Sequence, residues 1–143
     1  MEATSILRLG AALGLCLGLL PSVKSALAEE EAISITHVMS FGPQQGYCAY
    51  EFVIASIGQE MKNVEIAIAS ADGSKVLGRD TMRVAQLGGP RATWTARARA
   101  ELLCGERLEI NRMTASIEGK RVDVTRRLKV DRFKPLPLRV ISR

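Results

Sequence analysis

The sequence predicts an all-β domain, an antiparallel two-layer sandwich closed by one disulfide. Two runs of strict alternation and the spacing of the turn signals predict it. From Ala92 to Cys104, Trp94, Ala96, Ala98, Ala100, Leu102 and Cys104 share one parity, and Thr93, Thr95, Arg97, Arg99 and Glu101 share the other. A strand sends successive side chains to opposite faces, so this run has one dry face and one wet face. From Tyr47 to Ile57, Cys48, Tyr50, Phe52 and Ile54 alternate with Ala49, Glu51, Val53 and Ala55. Gly, Pro and Asn-rich breaks recur between such runs, and no stretch shows convincing helical periodicity.

The chain begins with a targeting pattern. A short region holding Arg8 precedes the apolar run Gly10–Leu20, and Ala26-Leu27-Ala28 supplies a small-residue cleavage site. This is the pattern of a secretory signal peptide, residues 1–28, with an uncleaved anchor as the alternative. The apolar run falls short of the roughly 20 residues a membrane-spanning helix needs, and no later run is longer. The expected mature chain, residues 29–143, is one domain by size, secreted or periplasmic, with no membrane span after cleavage. Cys48 and Cys104 are its only cysteines. In an exported protein an even pair is expected to form a disulfide, with free thiols or a metal pair as the alternatives.

Strand expectations follow in order. Ile33, Ile35 and His37 alternate with Ser34, Thr36 and Val38, giving a strand from about Ala32 to Phe41, broken at Gly42-Pro43-Gln44-Gln45-Gly46. The Tyr47–Ile57 strand ends at a turn over Gly58–Asn63, and Val64, Ile66 and Ile68 begin the next. Asp72-Gly73 marks a tight hairpin, because Asp-Gly accommodates positive backbone angles. Shorter strands around Gly78 lead to a break at Leu87–Pro90 and then to Ala92–Cys104. Arg107–Glu118 keeps its alternation except at Asn111-Arg112-Met113, where a bulge is expected. Arg121–Val130 reads as a strand with Val122, Val124, Leu128 and Val130 inward and Arg121, Arg127 and Lys129 outward; Arg126 is its misfit. The tail, residues 131–143, is basic and holds Pro135 and Pro137, which suit a sheet edge. In this arrangement the two cysteines would bridge the layers, with Trp94 near the same core. The logic is immunoglobulin-like, without that spacing of tryptophan and cysteines. A fibronectin-III-like sandwich fits about as well, and a small barrel is the alternative.

The formal charge is +5, and its distribution is uneven. From Lys120 onward, Lys120, Arg121, Arg126, Arg127, Lys129, Arg132, Lys134, Arg139 and Arg143 face only Asp123 and Asp131. Such an end suits an acidic partner or a solvated strand face. Nucleic acid is not expected, because single-strand binding wants aromatics among the cations and Phe133 is the only one there.

Catalytic chemistry is sparse. His37 is the sole histidine, on an apolar parity, where a structural role is the usual one. No nucleophile elbow and no phosphate-cradling glycine loop occurs. The chain therefore reads as a non-enzyme without a cofactor. His37 and Met39, two apart on a strand, form a candidate copper(I) pair, since imidazole and thioether both suit that ion.

Four features resemble those of the interleukin-receptor-mimic family of small secreted bacterial proteins. They are the signal peptide, the strand Cys48-x-Tyr50-x-Phe52-x-Ile54, the Asp72-Gly73 hairpin followed by Val76-Leu77-Gly78, and the ending Glu101-x-x-Cys104. The resemblance implies a fibronectin-III-like, non-catalytic exported domain that binds a protein partner, with a homodimer made by strand exchange among its expected states. It places no binding residues. The basic outer face supplies those: Arg121, Arg127, Lys129 and Phe133 are the expected partner contacts. Copper binding through His37 and Met39 is the alternative function.

Overall fold

The computed structural model describes residues 32–133 and 136–141, with the backbone alone at 90–94 and 132–133. The expected signal peptide, the Trp94 and Phe133 side chains and Pro135 lie outside what is described. Seven strands follow in order: β1 Ile33–Gln44, β2 Tyr47–Asp72, β3 Lys75–Leu103, β4 Arg107–Ile117, β5 Lys120–Asp123, β6 Leu128–Phe133 and β7 Leu138–Val140. A 3-10 turn, Thr125–Arg127, joins β5 to β6. The all-β class is as the sequence predicts.

All seven strands belong to one sheet, curled into a half-barrel. Its two layers share β2 and β3. The first half of β2 lies between β1 and the second half of β3; its second half lies between β4 and the first half of β3. Each of these two strands was expected as separate strands divided by turns at Gly58–Asn63 and Leu87–Pro90. Glycine is the reason they bend instead of ending. Gly58 (φ +90°) pairs with Gly89, and pairing resumes at Met61 with Leu87. Gly88 (φ +79°) lies so close to the other strand that a Cβ there would sit 2.2 Å from the Gln59 carbonyl oxygen. Only glycine fits that position.

The sheet is mixed, which corrects the expected antiparallel arrangement. β6 runs parallel to β1, and β7 runs parallel to β4. The cause is the break in the expected strand Arg121–Val130. The Asp123 carboxylate accepts the Thr125 N–H at 2.9 Å, and the Thr125 hydroxyl in turn accepts the Met113 N–H at 2.9 Å. These bonds turn the chain into the 3-10 segment, which crosses to the β1 edge. Alternation is lost within the turn, where Arg126 is exposed and Arg127 buried, while Val122, expected inward, is exposed. The bulge expected in β4 falls at Asn111, which is passed over where Ile110 and Arg112 pair with successive residues of β2.

The core between the layers holds Ile33, Ile35, Tyr50, Phe52 and Ile54 from one side and Ile66, Ile68, Met82, Leu108 and Ile110 from the other. Ala98, Ala100 and Leu102 of β3 belong to the same core. These are the dry parities of the alternating runs, and their burial is the main favourable term in folding. Cys48 and Cys104 form the disulfide, with Cα atoms 5.0 Å apart. It does not bridge the layers as expected. It joins neighbouring strands, for Cys48 pairs with Leu102 and the Cys104 N–H donates to the Gly46 carbonyl at 3.0 Å. The bent hairpin also brings its own tip back to this end, where the Glu106 N–H reaches the Asp72 carboxylate at 2.6 Å.

Candidate functional site

The site is built on the outer face of the layer β6–β1–β2–β3. Register places the rows Thr36–Val53–Arg97, Met39–Glu51–Arg99 and Phe41–Ala49–Glu101 across this face. Tyr47 and Leu103 pair at its end, beside the disulfide. Four large apolar side chains are exposed here: Met39 (46%), Phe41 (46%), Tyr47 (55%) and Leu103 (37%). A cleft of about 900 Å³ opens beside Phe41 and Tyr47, lined also by Gln44, Gln45, Arg99 and Glu101. Arg99 and Glu101 form an exposed ion pair at 3.1 Å on its floor. An apolar lip with a polar rim is the usual anatomy of a protein-binding surface.

Local sequence explains the lip. Between His37 and Met39 the register of β1 on β2 slips, so the chain after His37 changes face. Val38 and Met39 are both exposed as a result. Alternation from Ile33 alone hides this change. Tyr47 carries a signal that sequence reasoning passed over: an aromatic residue on the parity of Glu51, the wet parity of β2.

The same slip separates the candidate copper pair. His37 is fully buried, its ring 5.1 Å from that of Phe52 and 5.7 Å from that of Tyr50. With its proton on Nε2 it donates to the Met39 carbonyl at 3.1 Å, and Nδ1 accepts the Leu136 N–H at 3.4 Å. Ser40 Oγ lies 3.0 Å from Nε2. Burial lowers the pKa of the ring, against the bonds that a doubly protonated ring donates to the Leu136 and Met39 carbonyls, which raise it. His37 thus fastens the tail to β1, and the Met39 side chain stands outside in solvent. Among the described residues no three of His, Cys, Asp and Glu gather as metal ligands.

The expected partner contacts are not gathered at one place. Arg121 on β5 donates to Thr114 Oγ1 at 2.7 Å and to the Asn63 carbonyl, and pairs with Glu65 at 3.1 Å. Arg127, expected outward, is buried in the 3-10 turn and donates to Gln59 Oε1 at 3.4 Å. Lys129 is exposed on β6, where it pairs with Ser34. Phe133 pairs through its backbone with His37. Glu109 is buried and accepts from Arg107 at 2.9 Å and from both Nε and a terminal nitrogen of Arg139. The bond from Arg139 above all, with that from Arg107, lowers its pKa. That cluster secures β7 to β4 and faces away from any cleft chemistry.

A single curled sheet, a disulfide at the mouth of its bent hairpin and an apolar lip beside it define a small disulfide-closed all-β domain. The family model of interleukin receptor mimic protein A matches residues 33–131. The chain belongs to that family. IrmA from Escherichia coli has a similar structure, with a TM-score of 0.60 at 24% sequence identity, over 75% of this chain and 97% of that one. That likeness is one of fold. A GH20 exo-β-N-acetylglucosaminidase from Vibrio harveyi aligns at a TM-score of 0.42 and 10% identity, over 79% of this chain and 19% of the enzyme. No curated protein matches the sequence. Among the described residues no helix is long and apolar enough to cross a membrane.

Proposed function

We propose that this chain is an exported, non-catalytic receptor mimic that binds a protein partner through the lip Met39, Phe41, Tyr47 and Leu103. The exposed lip beside the disulfide carries the reading, because apolar and aromatic anchors next to a polar cleft provide most of the energy in protein interfaces. Membership of the receptor-mimic family supports the same direction, and interleukins are the partners its name points to. Lys129 borders the same outer face and adds a cation to it. Arg121 and Arg127 contribute by holding β5 and the 3-10 turn in place. The disulfide and the pattern of residues 1–28 support export to an oxidising compartment.

The test is a binding panel of interleukins against the mature chain, residues 29–143. A Phe41→Ser, Tyr47→Ser double variant should lose at least about tenfold in affinity, the scale of one interface anchor. Equal binding by native and double variant would remove the lip from the interface. Light scattering on the same samples tests the strand-exchanged homodimer, which predicts twice the chain mass.

A further inference from the structure

Among the described residues the second half of β3 is paired on one side only, with β2. Its free side can be read residue by residue. The Cys104 N–H points to β2, and the Glu101 N–H points away, to the Asp80 carboxylate at 2.9 Å. Pairing with β2 is regular from Thr95 to Leu103, so the N–H and C=O groups of Thr95, Arg97 and Arg99 point away as well. Asp80 closes the edge at Glu101, and among the described residues no strand pairs with the stretch from Thr95 to Arg99 on this side.

The side chains along this edge select what can join it. On the outer face stand Thr95, Arg97, Arg99 and Glu101, all exposed. Arg97 forms no ion pair among the described residues, and its neighbour across the ladder is Val53. On the inner face stand Ala96, Ala98 and Ala100; Ala98 and Ala100 are buried in the core and Ala96 is only half-buried against it. An added strand would set alternate side chains opposite the arginines, where opposite charge is favoured. The others would fall on the apolar side of the strand, next to the half-buried Ala96 and in line with the buried Ala98 and Ala100, where apolar groups continue the inner face.

We propose that the open edge of β3, Thr95 to Arg99, takes up an extended segment of the partner in which acidic and apolar residues alternate. Main-chain bonds to Thr95, Arg97 and Arg99 supply affinity, and Arg97 selects the acidic register. This rests on the reading of the chain as a protein-binding domain and adds a second contact to the lip.

The probe is a synthetic peptide of alternating Glu and Val, with a control of the same composition arranged in two blocks. Nuclear magnetic resonance on the mature chain should show saturable binding of the alternating peptide and exchange of the Arg97 and Arg99 amides slowed about tenfold, as for amides entering a ladder. Arg97→Glu should weaken that peptide about tenfold and bind a Lys and Val alternation instead, the response expected of an opposed charge pair. Arg97→Pro removes an outward N–H without touching the ladder to β2, and it should abolish binding. Equal binding of the block peptide, undiminished binding by Arg97→Pro, or no saturable binding overturns the proposal. The Phe41→Ser, Tyr47→Ser variant should bind the peptide as the native chain does. A lip that binds interleukin beside an edge that ignores the peptide would sink this inference alone.

Discussion

The Asp80 carboxylate accepts the Glu101 N–H at 2.9 Å and the Thr81 N–H at 2.7 Å. One side chain thus ties the two halves of β3 together where their backbones come closest, with Gly78 against Leu103. It also occupies a donor that an edge strand would otherwise leave exposed, a common defence against unwanted pairing. Asp80→Ala should lower stability by about 1–2 kcal/mol, the scale of a charge-assisted hydrogen bond at a half-buried site. It should also lengthen the open edge and raise self-association. Urea denaturation and gel filtration at rising concentration check the two effects, and unchanged values in both would show that Asp80 is a bystander.

The bend of the hairpin depends on Gly88. Alanine there meets both a left-handed backbone and the Gln59 carbonyl, so Gly88→Ala should cost about 3 kcal/mol or more. Gly73 provides the contrast. Its φ is +55° and open space surrounds it, so Gly73→Asn should cost less than about 1 kcal/mol. A thermal melt of the two variants side by side tests the pair. Similar losses in both would mean that backbone angle alone decides and the close approach to Gln59 does not.

Most of the core was legible in the sequence, because period-two alternation reports faces directly. Tyr50, Phe52 and Ile54, and Ala98, Ala100 and Leu102, lie on the faces their parity assigns. What alternation cannot report is a change of phase. The slip after His37 turned Met39 outward, and the 3-10 turn after Asp123 exchanged Arg126 and Arg127. Bends were equally hidden: Gly58 and Gly88 look like chain breaks, but the pairing slips there and resumes at Met61 with Leu87. The cysteine pair was legible as a bond but not as a position, since parity says nothing about which strands are neighbours. The lip was missed for the same reason, as it forms only when β1, β2 and β3 lie side by side.

The disulfide closes a separation of 56 residues, the whole of the bent hairpin. In the chain-entropy model, a loop of that size contributes about 4 kcal/mol. Cys48→Ala, Cys104→Ala should therefore lower stability by roughly that amount, a large part of the total for a domain of this size. The residual fold should keep its strand content, because the buried residues of both layers remain in place around the lost bond. Circular dichroism with denaturant titration follows both quantities. A loss below about 1 kcal/mol would place it at the bottom of the range for disulfides and point to a hairpin already ordered when unfolded.

Acid should destabilise the domain in two stages. Burial holds the His37 pKa below its ordinary 6.5, so the folded ring stays neutral where the unfolded ring takes up a proton. Its contribution is whole above pH 6.5 and declines as pH falls below it, until the folded ring also titrates. The second stage belongs to Glu109, whose carboxyl is held below its ordinary 4.5, first by Arg139 and also by Arg107. That contribution is whole above pH 4.5 and is lost as pH falls through the lower folded value. His37→Gln should flatten the first stage and leave the second, and Glu109→Gln should do the reverse. Urea midpoints followed from neutral to acid pH separate them. Because His37 reaches Leu136 and Glu109 reaches Arg139, both stages should also loosen the tail, seen as faster amide exchange at Leu138 and Val140. Tail amides that stay protected while the midpoint falls would show that the two clamps act on the β1 and β4 strands alone.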